Sequence, residues 1–151
     1  MSVFLHLPPG ADSAVANALL SSIRSDGRVR DLFGDPARVF DQETTRALYP
    51  YAALESHESE DASFIGAQAR LHRITLMTAS RRGGISEARE MIDALAGAVD
   101  GVALAFEGQT LVYCYAVYSD VVRPPERDHF RGLLRLKVLT RATAPTSGGV
   151  A

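Results

Sequence analysis

Glu55, His57, Glu58, Glu60 and Asp61 place four carboxylates and one imidazole within seven residues. On an extended chain, residues two apart share a face. Glu55 and His57 would then stand side by side, and such a pair can hold a hard divalent ion or act as a general base. No matched ligand spacing of the zinc or calcium kind accompanies them, and a solvated hairpin tip explains the same residues. Cys114, with His72 or His129 as base, has the residue types of a nucleophilic pair. It sits, however, in the most apolar segment of the chain, where a cysteine behaves as a small buried hydrophobe. It is also the only cysteine, which excludes an internal disulfide and a multi-cysteine zinc site. Arg81-Arg82-Gly83-Gly84 leads into a helix N-terminus, a place that can hold phosphate. Neither a Walker nor a dinucleotide fingerprint accompanies it, and a tight strand-to-helix connection is the better explanation. The expectation is no catalytic residue, no metal and no cofactor.

The distribution of charge is more informative. Glu55 to Asp61 holds four acids and no Lys or Arg, a net −4. Arg123 to Arg141 holds six basic residues (Arg123, Arg127, Arg131, Arg135, Lys137 and Arg141) against Glu126 and Asp128, a net +4. Two unrelated solvated surfaces would give this pattern. So would head-to-tail self-association, in which the acidic segment of one copy (Glu55, Glu58, Glu60, Asp61) meets the basic strand of the next. Different patches meeting in this way form a heterologous contact, which closes into a ring when the rotation allows. Such charges set register and encounter rate more than affinity. A third reading has the basic face touching DNA phosphates, in a contact that is salt-dependent and sequence-blind.

The elements that must position these residues follow from periodicity. Asp12 or Ser13 is a plausible N-cap for a helix with Val15, Ala18, Leu19 and Ile23 on one face, ended by Asp26-Gly27. Val29 to Phe33 adds one turn, and Arg38 to Asp41 reads as a short strand. A strand over Tyr51–Ser56, a polar stretch over His57–Ser63 and a strand over Ala67–Ala79 make an antiparallel hairpin. In the second of these strands His72, Ile74 and Leu76 face one way, and Leu71, Arg73, Thr75 and Met77 the other. Ser86 should cap the clearest helix, whose apolar face is Ala88, Met91, Ile92, Leu95, Ala96 and Val99, with Gly101 as its stop. Glu107-Gly108 is a hairpin turn signal between Ala103–Phe106 and Gln109–Ser119. Thr110 to Tyr118 is apolar at both parities and is expected to be central, covered on both faces. In the last strand, Phe130–Thr143, Leu134, Leu136 and Val138 face the core, and Arg131, Arg135, Lys137 and Arg141 face away. The fold class expected is α+β: a mainly antiparallel sheet with two principal helices on one face and projecting hairpin loops. Residues 1–143 are expected to form one domain and residues 144–151 a flexible tail.

Composition bounds the rest. The chain has 151 residues, 46% hydrophobic and 23% charged, with a net charge of −2. That length suits one core, and the balance of charge excludes a global basic field for nucleic acid. No apolar run approaches the ~20 residues of a membrane helix. The first nine residues lack the basic and apolar regions of a signal peptide, so a soluble cytoplasmic product without a membrane partner is expected.

Taken in order, these pieces resemble the tail-completion (tail-terminator) proteins of long-tailed phages and gene transfer agents. Val29-Arg30-Asp31-Leu32-Phe33-Gly34-Asp35 followed by Arg38-Val39-Phe40-Asp41 is similar to that family's short helix, Gly-Asp and strand. Tyr49-Pro50-Tyr51-Ala52 resembles its proline-led strand, and Arg70 to Arg81 the strand before its second helix. Gly83-Gly84, then Glu87-Ala88 and a helix ending near Val99, match that second helix. Leu104 to Val112 resembles its small hairpin, and Asp128 to Leu136 its last strand. Met77-Thr78 departs from the aromatic residue that relatives often carry there. The resemblance spans about Ala14 to Ala142. It implies a structural role: a ring, usually of six copies, at the head-proximal end of the tail tube. That ring would stop tube polymerisation, present a surface to the head–neck stopper and pass DNA through its lumen. The implied partners are further copies of the chain, the tail tube protein and the stopper, with DNA only as transient cargo. The implied location is the virion neck after assembly in the bacterial cytoplasm. The loops Glu58–Gly66 and Val122–His129 are candidates for contacts with neighbouring rings. The alternatives are another head–tail connector, stopper or adaptor, or a small hydrolase using His57 or Cys114.

Overall fold

The structure is a computed structural model that describes residues 11–44, 46, 48–81, 84–106, 108–124 and 128–143. Expectations for the first ten residues, Arg82-Gly83, Glu107, the 125–127 segment and the tail from residue 144 lie outside the described residues. Three helices and six strands are described: α1 (Ala11–Ser25), α2 (Gly27–Phe33), β1 (Val39–Phe40), β2 (Tyr51–Asp61), β3 (Ala69–Ser80), α3 (Gly84–Val99), β4 (Ala105–Phe106), β5 (Gln109–Val122) and β6 (Phe130–Ala142). The strands form one sheet in the order β1-β2-β3-β6-β5-β4. Every pairing is antiparallel except β1 with β2. The fold is α+β.

The helices form where their apolar stripes have a sheet to bury them. Val15, Leu19, Leu20 and Ile23 of α1, Val29 and Phe33 of α2, and Met91, Ile92, Leu95 and Val99 of α3 are buried in one cluster with Ala52, Ile74, Leu76, Cys114, Leu134, Leu136 and Val138 of the sheet. Each fully buried Leu, Ile or Phe contributes about 1.5–3 kcal/mol. The inward set His72, Ile74 and Leu76 and the inward set Leu134, Leu136 and Val138 are those expected from alternation. A second, small cluster of Tyr51, Ala53, Met77 and Ala79, joined by Phe40, Tyr49 and Leu133, occupies part of the opposite face.

The helix boundaries differ from expectation at three places. α1 begins at Ala11, so Asp12 and Ser13 lie in its first turn, where an acid suits the helix dipole. Asp26-Gly27 opens a helix rather than merely ending one. Asp26 is extended (ψ 133°) and its carboxylate accepts the Val29 N–H at 3.0 Å, which makes it the N-cap of α2, with Gly27 the first residue. α3 likewise begins at Gly84, which places Ser86 inside its first turn.

Two strands also differ. β2 does not stop at Ser56 but runs on to Asp61, because its charged residues keep a ladder with β3, Glu58 facing Arg73 and Glu60 facing Leu71. β5 is not central. β4 pairs only with Gln109 and Thr110, so β5 borders the open edge, and Val112, Tyr115, Val117, Tyr118 and Val122 are 38–50% exposed. The two-sided apolar pattern comes from register shifts at Leu111/Tyr113 and Ala116/Tyr118. An inserted residue at a bulge moves everything after it to the other parity. In the turn between β4 and β5, Gly108 has φ +79°, the left-handed conformation its glycine permits.

Gly132 on β6 marks the closest approach of α3 to the sheet. A Cβ there would meet Thr78 Oγ1 and lie 2.9 Å from Ile92 Cδ1. Gly132→Ala is expected to destabilise the protein by about 1–3 kcal/mol through overpacking, a fall of roughly 2–4 °C in melting temperature for each kcal/mol in a chain of this size. Unchanged thermal unfolding would show that α3 does not press on β6 here.

Candidate assembly surface

The sheet face opposite the helices is ribbed by side chains aligned across strands. One row runs Glu58 (β2), Arg73 (β3), Lys137 (β6), Tyr115 (β5). The next runs Ser56, Thr75, Arg135, Tyr118, and a third Glu60, Leu71, Leu139, Tyr113. The Arg135 guanidinium lies over the Tyr118 ring, 4.9 Å from its centroid, and the Tyr113 and Tyr115 rings are 4.9 Å apart. Glu58, Arg73, Thr75, Val117, Arg135 and Lys137 help to line a depression of about 360 Å³ in this face. Beyond the small Tyr51–Met77 cluster, no helix covers this face among the described residues.

The acidic segment on β2 and the basic segment on β6 therefore lie in one sheet, with β3 between them. Several of their charges pair within one subunit. Arg131 donates to Glu55 and lies 3.5 Å from Glu43, while Arg73 donates to Glu60. Glu58 is exposed beside Arg73. Asp61 is on the helix-side parity and accepts from Ser63 Oγ (2.6 Å) and its N–H, and the hydroxyl bond holds its carboxyl below the usual range. Arg135, Lys137 and Arg141 make no ion pair among the described residues, and Arg123 is exposed past the end of β5. Arg127 lies outside the described residues. Arg73, Tyr115 and Tyr118 belong to the surface but escaped the sequence reading. Alternation already put Arg73 on the outward parity, but its place beside Lys137 depends on a β3–β6 pairing between segments some sixty residues apart.

The expected chemical pairs are not assembled. A register shift between Leu54 and Ser56 makes Glu55 the extra residue of a bulge. Glu55 turns to Arg131 on the open face and His57 to the helix side, so the two do not share a face. His57 Nε2 instead lies 2.8 Å from His72 Nδ1, and Asp12 Oδ1 of α1 lies 3.7 Å from the same nitrogen. Burial lowers the pKa of His57 despite the nearby Asp12. Burial, reinforced by His57, pushes that of His72 down to about 4. Cys114 is buried, and burial pushes its thiol up to about 11. Cys114 and His72 both pair with Val138, from opposite sides of β6. Two strand spacings, about 9.5 Å, thus separate them. His129 precedes β6 and packs against Tyr49, with ring centroids 5.5 Å apart, nine residues from Val138 along the chain. Arg81 stacks over Tyr49 (4.3 Å) and pairs with Asp128 (3.4 Å).

Two outcomes are expected. The unfolded chain protonates His72 near pH 6.5, whereas the folded chain holds it neutral down to about pH 4. Stability present above pH 6.5 is therefore lost as pH falls toward 4, by on the order of 2–3 kcal/mol. His57 acts in the same direction, Asp12 opposes the shift and Arg70 adds to it. Denaturant unfolding at pH 7 and pH 4.5 checks this: His72→Phe should lose less over the interval than wild type, and an equal loss would contradict the assignment. Cys114 should resist alkylation at pH 8 until denaturant is added; rapid labelling of native protein would contradict its burial.

Comparison with known proteins agrees with this geometry. No relative with a curated description matches the chain. Among solved structures, the fold is similar to that of a chain from the "Virion of native gene transfer agent (GTA) particle", with a TM-score of 0.78 and 20% identity. The similarity covers 89% of this chain and all of that one. The family model described as tail completion protein gp17 matches residues 17–141, from within α1 almost to the end of β6. With α2, α3, β1 to β5 and all but the end of β6 inside that match, the chain belongs to the tail completion protein gp17 family.

Proposed function

We propose that the protein is a tail terminator. Copies form a ring, six in number, at the head-proximal end of the tail tube. The ring stops tube polymerisation and offers its other side to the head–neck stopper, and DNA passes through its lumen. Family membership supports a tail-completion role. The observation that carries self-assembly is the incomplete coverage of the sheet. One face lacks helices among the described residues. β1 pairs only with Ala52 and Ala53, and β4 only with Gln109 and Thr110. Among the described residues no strand pairs with the rest of β2 or of β5, although the Cys114 carbonyl accepts from the Gly101 N–H; monomers normally blunt or cover such edges.

In this reading the contact between copies is heterologous, joining the β2 side of one copy to the β5–β6 side of the next. Glu55, Glu60 and Arg131 are engaged within the subunit. Charge matching between copies falls to Glu58 and Asp61 on one side and Arg123, Arg127, Arg135, Lys137 and Arg141 on the other. Each interface buries more than about 1,000 Å². Any contact of lumen arginines with DNA is sequence-blind and weakens with salt. The assembled ring sits in the virion neck.

The double variant Arg135→Glu/Lys137→Glu tests the surface. Sedimentation should show ring formation shifted to at least about tenfold higher concentration, equivalent to about 1.4 kcal/mol, with melting unchanged. Rings of normal size at normal concentration would remove this face from the interface. Added to polymerising tail tube protein, the wild-type chain should limit tube length; tubes that grow unchecked would contradict the terminator role.

A further inference from the structure

Asp12, His57 and His72 are far apart in sequence and come from three elements: the first turn of α1, the middle of β2 and β3. Their ligand atoms lie within 4.8 Å of one another. We propose that they form a binding site for one divalent transition-metal ion of the zinc type, which would tie α1 to the sheet.

The donor set fits that class. Two imidazoles and a carboxylate suit zinc, nickel or cobalt better than magnesium or calcium, which prefer all-oxygen shells. Two nitrogens each about 2.1 Å from one tetrahedral ion lie about 3.4 Å apart. His57 Nε2 and His72 Nδ1 are 2.8 Å apart, and Asp12 Oδ1 is 3.7 Å from His72 Nδ1. Closing on an ion thus needs shifts of roughly half an ångström. Without an ion, one ring donates a proton to the other. With one, each ring gives a lone pair and keeps its single proton on the far nitrogen, so no proton is lost.

The surroundings support a built site. His72 is fully buried and fixes one donor, while Asp12 is about half exposed and leaves room for water to complete the coordination. Ser59 Oγ lies 3.0 Å from both Asp12 carboxylate oxygens and accepts from Arg70 Nε at 3.1 Å, so a hydrogen bond between the two oxygens orients the carboxylate. Arg70 Nε lies 3.9 Å from Asp12 Oδ1. It is the one cationic side chain paired with the cluster among the described residues, and the Asp12 charge offsets it.

The test uses the untagged full chain, freed of metal with a chelator and titrated with zinc chloride by calorimetry, with thermal melting in parallel. Uptake of one zinc per chain and a raised melting temperature are expected. His57→Ala and Asp12→Asn should each weaken binding by at least roughly tenfold; in chelator Asp12→Asn should melt close to wild type, while His57→Ala melts lower because buried His72 Nδ1 loses its partner. Glu90→Gln, on the exposed side of α3, should bind as wild type does. No uptake would overturn the proposal, and so would equal uptake by His57→Ala and Asp12→Asn, since the ion would then sit elsewhere.

Discussion

All three helices of the described chain bury their apolar stripes on the same face of the sheet. Everything else follows from that one-sided packing. Ile74 and Leu76 on β3 and Leu134 and Leu136 on β6 form its floor, fully buried or nearly so. Their non-local partnership holds the two central strands together. At about 1.5–3 kcal/mol per buried side chain, this face supplies the stability, and Gly132 lets α3 settle close enough to complete it. The opposite face carries the small Tyr51–Met77 cluster and otherwise mixes charged, polar and tyrosine side chains with a few aliphatic ones such as Leu71 and Leu139.

That division explains the character of the charges. Exposed ion pairs contribute about 0–1 kcal/mol each, so Arg73–Glu60 does little for the fold, whereas Arg131–Glu55 is largely shielded from water. They do consume part of what looked like free charge for contacts between copies. Arg135, Lys137 and Arg141 make no such pair among the described residues, and the first two stand opposite Tyr118 and Tyr115, of a residue type enriched at protein interfaces. A surface of this kind selects partners and register more than it adds affinity. It suits a subunit that must add to a growing particle in one orientation.

Much of this was legible in the sequence, because local periodicity is a local signal. The α3 stripe, the inward parities of β3 and β6 and the order of elements all follow from repeats of 3.6 and 2. What was hidden depends on pairing between distant segments or on a single inserted residue. The bulge at Glu55 separates Glu55 from His57, and those in β5 make an edge strand look like a central one. The merging of the acidic and basic runs into one face needed the β3–β6 register. So did the separation of Cys114 from His72 by β6. The meeting of Asp12 with His57 and His72 needed the docking of α1, which no ligand spacing along the chain encodes.

In the proposed reading the protein is a building block: a well-packed helical side that supports the subunit and an open sheet side offered to its neighbours. Native mass spectrometry of the wild-type chain mixed with the tail tube protein of the same particle tests this most directly. The account predicts a closed assembly of one fixed copy number bound to the tube protein. A chain that stays monomeric beside assembled tubes would contradict it.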